Sequence, residues 1–217
     1  MANPSHGPKM NQEKSNGMGP SEGYITADDG IRLFFQKLGN GQKTVILPSA
    51  IHRCLFDDFK DLNDDRTLIF CDLRNCGRSD HVSDRTKLRR GIHQDVDDLD
   101  AVRRHFGITQ VEVIGHSYLG MMVILYAMKY SAHVNRVVQI GPAQPFFGKQ
   151  YPAHLTGADA ILLEVSTKLA QLQKESESED PKELHKKWWS LMRVLYVADP
   201  ADADKIHWSF DLPMRKH

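Results

Sequence analysis

The sequence predicts an α/β fold: a mostly parallel sheet, an antiparallel hairpin at its N-terminal end, and a helical C-terminal third. Three observations carry this. Short β-branched apolar runs without strict alternation recur up to residue 140, as expected of strands buried on both faces. Helix-like segments separate them, the rhythm of right-handed crossovers. After Gly141 the strand rhythm stops and only helical stripes follow.

Taken in order, residues 1–21 are Gly, Pro, Ser, Asn and charge with almost nothing to bury, which predicts a disordered tail. From Gly23, GYITADDGIRLFFQKLGNG holds two extended runs around Asp28-Asp29-Gly30, a hairpin signature. Buried-strand candidates follow at Thr44–Leu47, Thr67–Cys71, Val111–Ile114 and Val134–Ile140. Between the second and third of these, Leu88, Ile92, Val96, Leu99, Val102 and Phe106 step by three or four. That spacing predicts an amphipathic helix closed by Gly107. The Asp-rich stretch 95–100 reads as its solvated face. MMVILYAMKY, after Ser117, reads as a second, largely buried helix. Further on, Ile161, Leu162, Val165, Leu169 and Leu172 share one stripe. Residues 182–197 carry another, in which Trp188 and Trp189 read as packed aromatics rather than cavity lining. The organisation is therefore a tail (1–21), an α/β core (22–145) and a helical region (146–217).

Composition narrows the function classes. The 217 residues hold 28 basic and 28 acidic side chains, a formal net charge of zero. That balance removes the electrostatic footprint of a general nucleic-acid binder. No apolar run approaches the roughly 20 residues of a membrane span. The three cysteines, Cys54, Cys71 and Cys76, argue for a reducing, cytoplasmic setting over a disulfide framework. There is no Gly-rich phosphate loop, and His93 with Asp97 lacks a third metal ligand, so neither a cofactor nor a metal is expected.

The chemistry-bearing segment is VEVIGHSYLG, Val111–Gly120. A buried strand runs into a tight turn at Ser117 and a helix starts at once. Such a turn lifts the serine oxygen above the sheet edge, where small neighbours give steric room. The helix N-terminus adds N–H groups and positive dipole, so the Tyr118 N–H is a candidate oxyanion donor. The plain alternative is that Ser117 only caps the helix. Gly115, two before the serine, favours the elbow. Leu119, two after it, stands where a small residue is expected, with Gly120 one later. Either the turn is tighter or Leu119 points away.

Here the chain resembles the α/β-hydrolase family, and the resemblance extends past the elbow. DLRNCGRSD, Asp72–Asp80, is similar to the family's D-x-R-G-x-G-x-S loop, with Asn75 or Cys76 departing from its first glycine. DDLDAVRRHFGI and HVNRVVQIGP are similar to its helix and strand on either side of the elbow strand. Among subfamilies the chain resembles the cap-bearing hydrolases of the proline-iminopeptidase and epoxide-hydrolase type, with residues 146–217 in the place of the cap. The resemblance implies an α/β-hydrolase-type sheet with Ser117 as catalytic nucleophile. It implies a second oxyanion N–H from the loop Pro48-Ser49-Ala50-Ile51-His52, from Ala50 or Ile51. It implies ester or amide hydrolysis without a cofactor, since a serine nucleophile argues against epoxide or haloalkane chemistry.

The family order is Ser, then Asp or Glu, then His, the acid following a seventh strand and the histidine an eighth. Neither strand is expected here, so the chain reads as shortened at its C-terminal side. Asp204 with His207, or Asp211 with His217, would have no strand to hold it. Two readings follow. One is a serine hydrolase acting on a small-molecule substrate. The other is a catalytically silent relative that binds or self-associates through an exposed sheet edge. Neither nucleic acid nor membrane is expected as a partner.

Overall fold

The computed structural model describes residues 21–49, 56–143, 159–175 and 180–206. The expected tail, the loop residues Ala50 and Ile51, and His207, Asp211 and His217 lie outside the described residues, except that β1 already begins at Ser21.

Six strands form one sheet: β1 (Ser21–Thr26), β2 (Arg32–Leu38), β3 (Lys43–Ser49), β4 (Arg66–Asp72), β5 (Val111–His116) and β6 (Val134–Ile140), in the order β1-β2-β4-β3-β5-β6. β1 and β2 form the antiparallel hairpin, and β2 adds antiparallel to β4. β4, β3, β5 and β6 run parallel. Each expected strand is present. The β3, β4 and β5 runs lack polar alternation because both faces are covered, whereas β6, expected to be buried as well, is intermediate to exposed along its whole length at the end of the strand order. Ile46, Ile69, Cys71 and Val113 point into the core beneath the helices. Their neighbours Val45, Leu47, Leu68, Phe70 and Ile114 fill a second cluster, against which Phe56 and Phe59 of α1 (Phe56–Phe59) pack.

The helices on the first face are α2 (Ile92–His105) and α3 (Tyr118–Lys129). α2 starts later than the apolar spacing predicts. Arg85–Leu88 is a separate 3-10 turn capped by Asp84, and Gly91 at φ 51° breaks the path between the two. Val96, Leu99 and Val102 are buried as expected. The acidic stretch is not a solvated face. Asp98 and Asp100 are 2% and 5% exposed, because arginines reach them inside the fold. α3 buries Leu119, Met122, Val123 and Tyr126 but leaves Ile124 and Met128 exposed.

The C-terminal part holds α4 (Asp159–Glu175) and α5 (Pro181–Met192), which is followed by 3-10 turns. On α4, Val165 is buried, whereas Leu162, expected on the same stripe, is 52% exposed. Trp189 is buried and meets Trp188 edge-to-face at 4.8 Å. Trp188 also borders a groove of about 510 Å³ between the two helices, with Leu169, Leu172 and Leu184.

Candidate active site

Parallel strands β3, β4 and β5 end together at Ser49, Asp72 and His116. In open α/β sheets this C-terminal edge is where ligands bind. Ser117 stands there, between β5 and α3, with φ 55° and ψ −122°, a conformation rarely adopted by residues with a Cβ. The backbone around it holds the strain. The Ser117 N–H donates to the Ile140 carbonyl at 3.0 Å, tying the turn to the end of β6. The Ser117 carbonyl accepts from Ala143 at 2.9 Å and from Gly120 at 3.0 Å.

The Ser117 side chain makes no capping hydrogen bond, and the residue is exposed. The N–H groups of Tyr118 and Leu119 open the helix, where no intrahelical acceptor exists. Leu119 points away, 6% exposed in the core beneath. The small residues are Gly115 and Gly120. A Cβ on Gly115 would lie 2.2 Å from the Leu119 carbonyl oxygen, and one on Gly120 would lie 3.0 Å from Pro142 Cβ. The room that family members find two residues after the serine is supplied here one residue later.

The loop after β4 is built on the same edge. Asn75 takes φ 62°, so it occupies the position of the absent glycine, and its Oδ1 accepts from the Val82 N–H at 2.6 Å. Asn tolerates this region better than other side chains. A Cβ on Gly77 would collide with the Asp72 carboxylate at 2.2 Å. Fully buried Ser79 donates to the Asp72 carbonyl at 2.7 Å and accepts from the Phe34 N–H at 2.9 Å, locking loop to hairpin. Arg74 enters the fold and binds Asp98 on α2 and Asp29 in the hairpin turn.

One acidic residue near the elbow escapes the sequence pattern. The Tyr118 hydroxyl donates to Asp95 Oδ2 at 2.8 Å. Burial pushes the Asp95 carboxyl above its ordinary range, the Tyr118 bond opposes that, and the Asp98 charge adds to it. Burial and the Asp95 contact likewise push the Tyr118 phenol up. The one hint in the sequence is that Asp95 falls among the acids leading into Leu99; its partner on the next helix is invisible there.

Triad substitutes do not gather at Ser117 among the described residues. His133 contacts the Thr109 carbonyl at 3.0 Å, before the start of β5 and so at the opposite sheet edge. Asp204 is 93% exposed and faces Arg193. Asp97, half of the His93/Asp97 pair, is engaged by Lys129, Tyr130 and Arg90.

Fold and turn together define the class: a mostly parallel α/β sheet with an exposed serine on a strained strand-to-helix turn at its C-terminal edge. Residues 49–179, more than half of the chain, match the family model of the alpha/beta hydrolase fold, and the chain belongs to that family. It is 28% identical over 127 residues to a proline iminopeptidase of Heyndrickxia coagulans, covering 56% of this chain and 43% of that protein. It is 32% identical over 94 residues to the proline iminopeptidase PfmaB of Pestalotiopsis fici, covering 42% and 32%. The esterase EaEST of Exiguobacterium antarcticum superposes with a TM-score of 0.54 at 21% identity, over 80% of this chain and 67% of that one. The chain spans less than half the length of the curated relatives it matches. Among the described residues no helix is long and apolar enough to cross a membrane.

Proposed function

We propose that this protein is a serine hydrolase acting on an ester or amide bond of a small substrate. The observation that carries the reading is Ser117 itself: exposed, uncapped, and held at φ 55° over the N-terminus of α3. In this reading the Ser117 oxygen attacks the acyl carbon, and its proton passes to a general base and on to the leaving alcohol or amine. The carbonyl oxygen becomes an oxyanion beside the Tyr118 N–H, with a second N–H from Ala50 or Ile51. Water then hydrolyses the acyl-enzyme and restores the serine. The base and its orienting carboxylate are not among the described residues at Ser117. The proline iminopeptidase and esterase relatives support a carbonyl substrate; no cofactor is called for. The odd count of three cysteines, poor evidence for a disulfide framework, supports a cytoplasmic setting. Turnover of a short-chain p-nitrophenyl ester, lost in Ser117→Ala, is the expected result; equal rates in the two proteins would sink the proposal.

Among the described residues β6 is the last strand of the sheet, which favours a second reading, a non-catalytic relative that self-associates. Val138 and Ile140 on that strand are 40% and 36% exposed. Unpaired apolar edges promote strand-to-strand contact. Sedimentation equilibrium separates this from a monomer: a single monomeric species across the concentration range contradicts it.

A further inference from the structure

The Ser117 turn is braced from two sides. On one, its backbone is bonded to Ile140 and Ala143. On the other, the side chain of Tyr118 crosses to α2 and ends on Asp95, at 2.8 Å. Tyr118 is also the residue whose N–H is the oxyanion donor of the proposed reaction, so whatever fixes its side chain orients that N–H. Arg74, whose charge reaches Asp95, is committed to Asp98 and Asp29, and Tyr118 is the hydrogen-bond partner of the Asp95 carboxylate. A partly buried carboxylate that spends its acceptor on a phenol next to the nucleophile is an expensive way to decorate a surface.

We infer that Asp95 is a positioning residue: through the Tyr118 hydroxyl it holds the first turn of α3 so that the Tyr118 N–H faces the oxygen of the reacting carbonyl. This rests on the Ser117 reading and adds to it a residue from another helix. A displacement of about 1 Å in a catalytic group costs up to about hundredfold. Removing either end of the bond is therefore expected to slow the reaction of Ser117 by about ten- to hundredfold while Ser117 remains in place.

The test is the second-order rate of Ser117 modification by a fluorophosphonate, in the wild-type protein and in Tyr118→Phe, Asp95→Ala, Asp95→Asn and the Tyr118→Phe/Asp95→Ala double variant. Melting temperature is recorded for each. Tyr118→Phe removes one oxygen and leaves the ring, so it tests the bond without opening a cavity. The expected result is slow labelling in Tyr118→Phe and Asp95→Ala, a double variant no slower than either single, and near wild-type labelling in Asp95→Asn, which keeps an acceptor oxygen. Wild-type rates in Tyr118→Phe overturn the inference, as do additive losses in the double variant or failure of Asp95→Asn to restore the rate. No labelling of the wild-type protein is a different outcome, because it removes the Ser117 reading and the inference together.

Discussion

Arg74 holds Asp98 through two parallel hydrogen bonds, Nε to Oδ2 at 2.7 Å and Nη2 to Oδ1 at 2.6 Å, with side chains only 3% and 2% exposed. A second carboxylate, Asp29, meets the same guanidinium at 2.9 Å. One buried cation thus ties three pieces together: the loop after β4, helix α2 and the turn of the N-terminal hairpin. Bidentate geometry of this kind is specific to arginine.

Breaking that pair leaves the buried Arg74 charge without its bidentate partner and with Asp29 alone. Asp98→Ala is expected to lower unfolding stability by about 3–5 kcal/mol, the range for removing one side of a buried ion pair. The double change Arg74→Met/Asp98→Leu is expected to cost less than the single one, since the only charge then left without Arg74 is Asp29, which is 27% exposed to solvent. Urea denaturation of the three proteins checks this. A single variant as stable as wild type contradicts it.

Leu119 gives a prediction opposite to what the family pattern suggests. Restoring a small residue with Leu119→Ala is expected to destabilise the fold by about 2–5 kcal/mol, because the side chain fills the core and not the turn. Gly115→Ala is expected to be damaging too, since its new methyl would stand 2.2 Å from a main-chain oxygen that has no free rotamer to retreat along. Equilibrium unfolding measures both. Neutral behaviour of Gly115→Ala would mean the strand-to-helix turn is looser than the structure has it.

Acid lability is expected to pass through Asp97. Burial pulls its carboxyl up, but hydrogen bonds from Lys129, Tyr130 and Arg90 outweigh this and hold it below the ordinary carboxylate range. A carboxyl with a lowered folded-state value contributes stability above its unfolded value, near about 4, and that contribution is lost as pH falls through the folded value. Asp97→Asn is therefore expected to be less stable at pH 7 and to lose less between pH 5 and 3. Parallel urea midpoints for both proteins across that range contradict the assignment.

The strands β3, β4 and β5 were legible because a doubly covered parallel strand writes itself as a β-branched run; Val134–Ile140 matches its expected limits residue for residue although it is largely exposed. The strand-turn-helix around Ser117 was legible for a related reason, as local order needs only neighbouring residues. What the residues alone did not disclose is long-range. Asp98 looks solvated on a helical wheel until Arg74, 24 positions away, is known to reach across the fold, and Asp100 until Tyr126 of α3 is known to meet it. Asp95 needed its partner on α3 for the same reason. The late start of α2 turned on one backbone conformation at Gly91, which apolar spacing does not encode. Whether Leu119 spoils the elbow depended on how close Gly120 comes to Pro142, a contact between segments that only the folded sheet brings together.

Chemistry at Ser117 is the claim on which the functional account stands. Its most direct measurement is covalent labelling with a fluorophosphonate, followed by mass spectrometry of the peptide that carries VEVIGHSYLG. The account predicts one phosphonylated site, Ser117, with labelling abolished in Ser117→Ala and in protein unfolded beforehand. An unlabelled native protein, or label that persists in Ser117→Ala, contradicts it.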